Sequence, residues 1–308
     1  MSSGLYGSDE IRTLVEGESV LDGAFECLRR IWDQPYAISD RQLGGSEYQT
    51  RLLEQQLAAL APELYSELEQ QTGEHPLPAI DHGCGIVMDA LSVREGFRLA
   101  RDLPEAHDWT VEFDWAAVER LPTKTRFICE SWFGSHAPSA VDKADFRYVG
   151  DMSVPPLPNT DPEFVWTRVP DKRLEDAMQG NYSIESVTEI YEDIRDLLVG
   201  IIEESVHDEF LVTSDHGYVN YLGNNPYALN DDLADTLASE FDGRHREVTN
   251  SYACQQLEEA GVIGRADGHY VVKGHYSWTK RGASSRVAHG GLSLPECMTP
   301  VLRINTGD

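Results

Sequence analysis

Phe210-Leu211-Val212-Thr213-Ser214-Asp215-His216-Gly217 is an apolar run too short for a helix, closed by an acid, an imidazole and a glycine. The run predicts a buried strand ending in a polar turn. Four other segments have the same character: Gly85-Ile86-Val87-Met88 closed by Asp89, Trp109–Phe113, Phe164–Val169 and Pro300–Ile304. Helical patterns fall between them, near 92–101, after Thr125 and over 183–204, where Val187, Ile190, Tyr191, Ile194, Leu197, Leu198 and Ile201 line one side. Strands alternating with helices predict an α/β fold, a mainly parallel sheet flanked by helices on both faces. Residues 134–162, rich in Pro, Gly and Ser, read as one long loop.

Upstream of this pattern, residues 1–79 read as a helical N-terminal segment distinct from a domain over 80–308. Residues 9–33 are weakly helical. Ser46 is placed to cap a single helix carrying Leu52, Leu53, Leu57, Leu60, Leu64 and Leu68, and His75-Pro76-Leu77-Pro78 ends the segment.

The 308 residues hold 53 Asp and Glu against 25 Lys and Arg, a formal net charge of -28, and only five of the cations are lysine. The acids run along the whole chain, which argues against a terminal acidic tail. Hydrophobic residues make up 41% of the chain, which argues against disorder. A dense carboxylate surface fits a protein of a salt-loving source, hydrated and held apart from its neighbours. Such a chain has no broad basic face for nucleic acid. At molar salt, however, the Debye length shrinks to about 3 Å, and an anionic substrate is not excluded. Cys27, Cys84, Cys129, Cys254 and Cys297 are odd in number and without CxxC spacing, which fits neither a disulfide framework nor a zinc ribbon. With no signal-peptide pattern at the start and no apolar run of membrane-spanning length, the expectation is a cytoplasmic protein with no membrane partner.

In open α/β sheets, ligands gather at the carboxyl ends of strands. Asp89, the Thr123-Lys124-Thr125 segment, Asp171 and Asp215-His216 all fall at or just beyond such ends, and His289-Gly290-Gly291 precedes the last strand. Carboxylates and imidazoles converging on one edge make a divalent-metal site. Taken singly, each is also an ordinary feature: an Asp after a strand caps a helix, and a His-Gly-Gly forms a turn. Residues 265–286 concentrate Lys, Arg, His and aromatics. They read either as a loop gripping phosphate with Lys273, Lys280, Arg281 or Arg286 and stacking a base on Tyr276 or Trp278, or as a hairpin whose aromatics join the core.

The order of these motifs resembles the alkaline phosphatase superfamily. The PTKT segment, Pro122–Thr125, looks like the nucleophile segment of nucleotide pyrophosphatase/phosphodiesterases. The HGGLSLPECMTPVL ending and DALSVREG resemble PglZ domains, a branch found in phage-defence loci, and the likeness covers roughly residues 80–306. For the fold the resemblance implies an alkaline-phosphatase-like sheet; taken with the acidic charge balance, the expected source is a halophilic archaeon. The resemblance further implies two divalent ions, one held by Asp89, Thr125, Asp215 and His216, the other by Asp171, the residue at 175 and His289. Thr125 would be the nucleophile, passing through a threonyl-phosphate. The family has His where this chain has Glu175, so the metals are Zn, or Mn or Mg if Glu175 is a ligand; otherwise His269 or His275 fills the place. The phosphodiesterases carry Asn where this chain has Ile128, so phosphate needs another donor: Arg126, Arg94 or Lys124, beside Lys280. The implied activity is a phosphodiesterase or nuclease acting on a phosphate ester, with a nucleotide or nucleic acid as candidate substrates. A phosphomonoesterase or mutase, or a non-catalytic scaffold among defence-system proteins, are the alternatives. Sulfatase chemistry does not fit, since there is no Cys-x-Pro-x-Arg motif.

Overall fold

The computed structural model describes residues 19–33, 40–179, 184–221, 227–277 and 287–307; of 40–42, 177–179 and 184–188 it describes the backbone alone. Lys280, Trp278, Arg281 and Arg286 lie outside the described residues, as does the 9–18 part of the weak N-terminal helix.

A six-stranded sheet forms the centre. Its strands are β1 (Cys84–Met88), β2 (Thr110–Ala117), β3 (Phe146–Val149), β4 (Glu163–Thr167), β5 (Glu209–Thr213) and β11 (Met298–Asn305), in the order β2-β11-β5-β1-β4-β3. Only β11 runs against the others. All five residues of β1 are buried, as expected of a strand covered on both faces. On one face, α7 (Ile184–Glu204) lays Ile190, Ile194, Leu197, Leu198 and Ile201 against Ile86, Met88, Val165 and Val212. Leu77, Val87, Trp166, Leu211 and Val301 share a second core with Phe146 and Cys129.

The antiparallel β11 determines where the site can form. The segment preceding it starts at the edge where β1, β4 and β5 end, so residues 287–297 meet the loops after those strands. β2 ends on the same edge and leads through Thr123 into α5 (Thr125–Phe133).

The structure corrects two readings of the sequence. Residues 134–162 are not all loop: Phe146–Val149 pairs in parallel with β4 as an edge strand. Four residues beside Asp145 and Gly150 offer too few repeats to show a period. The leucine-rich N-terminal helix is two helices, α2 (Asp40–Leu60) and α3 (Leu64–Gln70), interrupted at Pro62, which has no N–H to continue the ladder. Ser46 lies inside α2, and its hydroxyl donates to the Ile31 carbonyl.

These helices, with α1 (Val20–Trp32), share a core with Val93 and Phe97 of α4 (Val93–Ala106) and with Leu292, Leu294, Cys297 and Met298. Buried polar ties cross the same boundary. Glu54 of α2 accepts the Leu294 N–H at 2.8 Å and faces His275 at 2.9 Å, and Glu47 pairs with Arg94 at 3.0 Å.

A smaller antiparallel sheet, β7 (His245–Glu247), β9 (His269–Val272) and β8 (Ile263–Ala266), packs on α8 (Asp231–Glu240) and α9 (Tyr252–Glu259) through Leu237, Phe241, Leu257, Ile263 and Tyr270. The first half of the 265–286 stretch is therefore a hairpin, turning at Asp267-Gly268, both with positive φ. Tyr276 packs against that core, and Lys273 lies over the Tyr65 ring.

Arg244, just before β7, closes the arrangement. Its Nε and Nη2 donate to the two oxygens of Glu296, and it also donates to the Val272, Gly274 and Tyr276 carbonyls. Both partners are fully buried. Arg244→Met leaves Glu296 without a countercharge and should cost about 3–5 kcal/mol. Urea unfolding at fixed salt checks this, and Arg244→Met with Glu296→Gln should recover part of the loss.

Candidate active site

Asp89, Thr125, Asp215 and His216 meet at the carboxyl edge of the sheet. The Thr125 Oγ1 lies 3.2 Å from Asp89 Oδ1 and 3.3 Å from His216 Nε2. His216 Nε2 is 3.4 Å from Asp215 Oδ2 and 3.8 Å from Asp89 Oδ1. Ligand atoms of Asp89, Asp215 and His216 lie within 4.8 Å of one another, the one such group of three among the described residues.

Backbone contacts hold each side chain. Asp89 N donates to the Thr167 carbonyl, and the Asp89 carbonyl accepts from Asp171 N, which joins the end of β1 to the start of α6 (Val169–Gln179). Asp215 Oδ1 accepts from Ala90 N at 3.1 Å and His216 N at 3.0 Å. Ala90 has a φ of 61°, a left-handed conformation that costs a non-glycine residue roughly 1 kcal/mol or more. The strain aims its N–H at Asp215. His216 Nδ1 faces the Gly217 carbonyl at 3.0 Å. A carbonyl only accepts, so Nδ1 carries a hydrogen and Nε2 turns to the cluster. A Cβ on Gly217 would stand 2.1 Å from the Pro295 carbonyl oxygen, so the third residue of Asp-His-Gly must be glycine.

These donors fit a divalent cation. Asp215 Oδ2 is buried without a hydrogen-bond partner and faces the cluster. Burial raises the Asp89 carboxyl well above its ordinary range, and the nearby Asp215 and Asp171 carboxylates push it further. Two buried carboxylates and an imidazole nitrogen make a site that a cation stabilises.

Beside this cluster lies a second group. The His216 and His289 rings stack at 4.2 Å. His289 Nδ1 donates to the Thr123 carbonyl, which leaves Nε2 bare, 3.9 Å from Asp171 Oδ1. The half-buried Lys124 reaches that same nitrogen, its Nζ 3.3 Å away. Burial lowers the Lys124 ammonium against the attraction of Asp171, Glu296 and Asp89, and burial holds the His289 imidazole well below its usual range.

Other expected residues stand apart from these donors. Glu175 is drawn to Arg168 at 2.8 Å and is 43% exposed. His275 faces Glu54, and His269 packs edge-on against Phe127. Ile128 points into the core. Arg94 is buried between Trp32 and Tyr218 and held by Glu47 and the Tyr218 carbonyl. Arg126 is exposed beside Phe127.

Two residues with no role in the sequence reading fix this edge. The Thr123 hydroxyl accepts from Gly290 N at 2.8 Å and donates to the Gly291 carbonyl, stapling the Thr-Lys-Thr segment to His-Gly-Gly. Glu296 accepts from Gly291 N. Thr123 was legible as part of its motif; Glu296 and its partner Arg244 lie 52 residues apart and carried no local signal.

The fold is mixed α/β, a mostly parallel six-stranded sheet with helices on its faces and the polar cluster at its carboxyl edge. Residues 164–304 match the family model described as the BREX system PglZ alkaline phosphatase-like domain. No curated protein matches the chain. Among solved structures, phosphonoacetate hydrolase from Sinorhizobium meliloti 1021, in complex with phosphonoacetate, is 12% identical. The similarity covers 72% of this chain and 65% of that one, and at a TM-score of 0.23 it carries no argument. No helix among the described residues is long and apolar enough to cross a membrane.

Asp89 allows a test of the site's charge balance. Its pKa is raised on folding, so the folded, metal-free chain holds that proton more tightly than the unfolded chain. The stability this contributes is full below the unfolded pKa and lost as pH rises through the folded one. Asp89→Asn removes the titration. In chelator, the variant should melt several degrees higher than the parent at neutral pH, with a flatter pH dependence by scanning fluorimetry.

Proposed function

We propose that this chain is a metal-dependent phosphoric-ester hydrolase, with a phosphodiester as its preferred substrate and Thr125 as its nucleophile. The observation that carries the reading is the Thr125 hydroxyl, held 3.2 Å from Asp89 and 3.3 Å from His216 at the start of a helix. Asp89, Asp215, His216 and Thr125 would hold a divalent cation, and three oxygens with one nitrogen suit Zn or Mn. When bound, the ion supplies charge that favours the threonine alkoxide and offsets the phosphoryl oxygens.

The chain's own groups then act as follows. The Thr125 hydroxyl hydrogen points to Asp89 Oδ1, which is placed to draw it off as Oγ1 bonds to phosphorus. The ester oxygen opposite departs and takes a proton from water. A second water then cleaves the threonyl-phosphate. Thr125 is the first residue of α5, and a helix N-terminus favours negative charge there. Asp171 and His289 lie beside this cluster, His289 stacked on His216 and 3.3 Å from the Lys124 ammonium.

The diester preference is supported by the likeness of Pro122–Thr125 to phosphodiesterase nucleophile segments. The matched BREX domain supports a phage-defence setting, with a nucleotide or nucleic acid as the ester. Thr125→Ala should lower kcat on bis-nitrophenyl phosphate by about 1,000-fold or more, with Thr125→Ser keeping a measurable part. Assays in molar KCl with Zn or Mn check this. Faster turnover of the mono-nitrophenyl ester would favour a monoesterase, and no turnover of either ester with no bound metal would favour a scaffold.

A further inference from the structure

The second group of donors does not fit a second metal ion. Its two members, His289 Nε2 and Asp171 Oδ1, lie 3.9 Å apart, and the expected third, Glu175, is paired with Arg168. Of the other two candidates, His275 is fully buried against Glu54 and His269 packs against Phe127. The lone pair of His289 that a metal would use already accepts from Lys124 Nζ at 3.3 Å. A zinc ion bound about 2.1 Å from that nitrogen would stand against an ammonium group, and the two would repel.

We propose that the Lys124 ammonium is the second positive charge of this centre, standing in place of a second metal ion, so that each chain binds one divalent cation. The inference rests on the phosphoester-hydrolase reading above.

Lys124 is well placed for this role. It directly precedes Thr125, so its backbone is fixed by the start of α5. Its methylene stem passes over Gly290, where a Cβ would lie 3.0 Å from Lys124 Cε and 2.9 Å from His245 Nδ1. Gly290 also holds a φ of 110°, closed to other residues. The middle residue of His-Gly-Gly therefore clears the path of the lysine. Asp171 and His289 then orient the ammonium instead of holding metal. An ammonium has three donors. One is taken by His289, and the others can bind phosphoryl oxygens as negative charge builds on them. No proton is transferred: Lys124 stabilises charge throughout.

The test counts metal. The full chain, stripped with chelator in molar KCl, is titrated with Zn or Mn, and bound metal is measured after gel filtration. One ion per chain is expected. Two ions, with hydrolysis intact, would overturn the role of Lys124 and leave the hydrolase reading standing. No bound ion and no hydrolysis would overturn both. Turnover gives an independent arm: Lys124→Met should lower kcat by about 100-fold with a smaller change in KM, and Lys124→Arg should restore part. Activity of Lys124→Met within about threefold of the parent would also sink the proposal.

Discussion

Asp89 and Asp215 are held side by side and buried, and among the described residues no lysine or arginine pairs with either of them directly. At the separations found here, two unit charges repel by roughly 3–4 kcal/mol in a medium of effective dielectric about 20. The Thr125 hydroxyl and the Arg168 guanidinium offset only part of that cost, and Asp89 stays raised well above the ordinary carboxyl range. Asp215 is fixed by two backbone N–H groups, one of them aimed by the strained Ala90, and Asp89 by the pairing of β1 with β4. The expense is offset elsewhere, by strands buried on both faces and by the apolar contacts of α7. The sheet serves as a rigid frame that keeps two carboxyl groups together at a spacing a cation would favour.

The same frame explains the glycines. Gly217 lies against the Pro295 carbonyl, and Gly291 lies where a Cβ would strike the Val272 carbonyl and Arg244. At both points, backbone from different parts of the chain approaches too closely for a side chain. The loop after β5 and the loop before β11 are thereby pressed together, so His216 and His289 stack even though they are far apart in sequence. The buried Arg244–Glu296 pair holds that loop from the other side and joins it to the small sheet.

Much of the fold was legible because it depends on short apolar runs, each closed by a polar residue. The strands at Cys84–Met88, Glu163–Thr167 and Glu209–Thr213 and the helix at Ile184–Glu204 have strong local patterns. The edge strand Phe146–Val149 has four residues and little period, and the break at Pro62 was masked by leucines that keep their spacing across it. At the site, the convergence of Asp89, Thr125, Asp215 and His216 followed from strand ends on one edge. The partners that settle the rest are long-range and leave no local mark. Arg94 resembles a phosphate ligand in its motif, yet folding gives it to Glu47; Glu175 stands four residues after Asp171, yet folding gives it to Arg168.

The chain's charge makes the few cations at this edge more consequential. With a net charge of -28, the long-range field of the protein repels any phosphate ester. In molar salt that field dies away within about 3 Å, and so does any steering by distant lysines or arginines. Only cations in contact with the substrate can then act on it. Lys124, one of five lysines in the chain, directly precedes Thr125, its ammonium reaches His289 and its stem is cleared by Gly290. A surface that favours solubility in salt cannot also attract the substrate from afar. In the hydrolase proposed above, the binding of a phosphate ester would therefore fall on charges buried at the sheet edge, where salt screens them least.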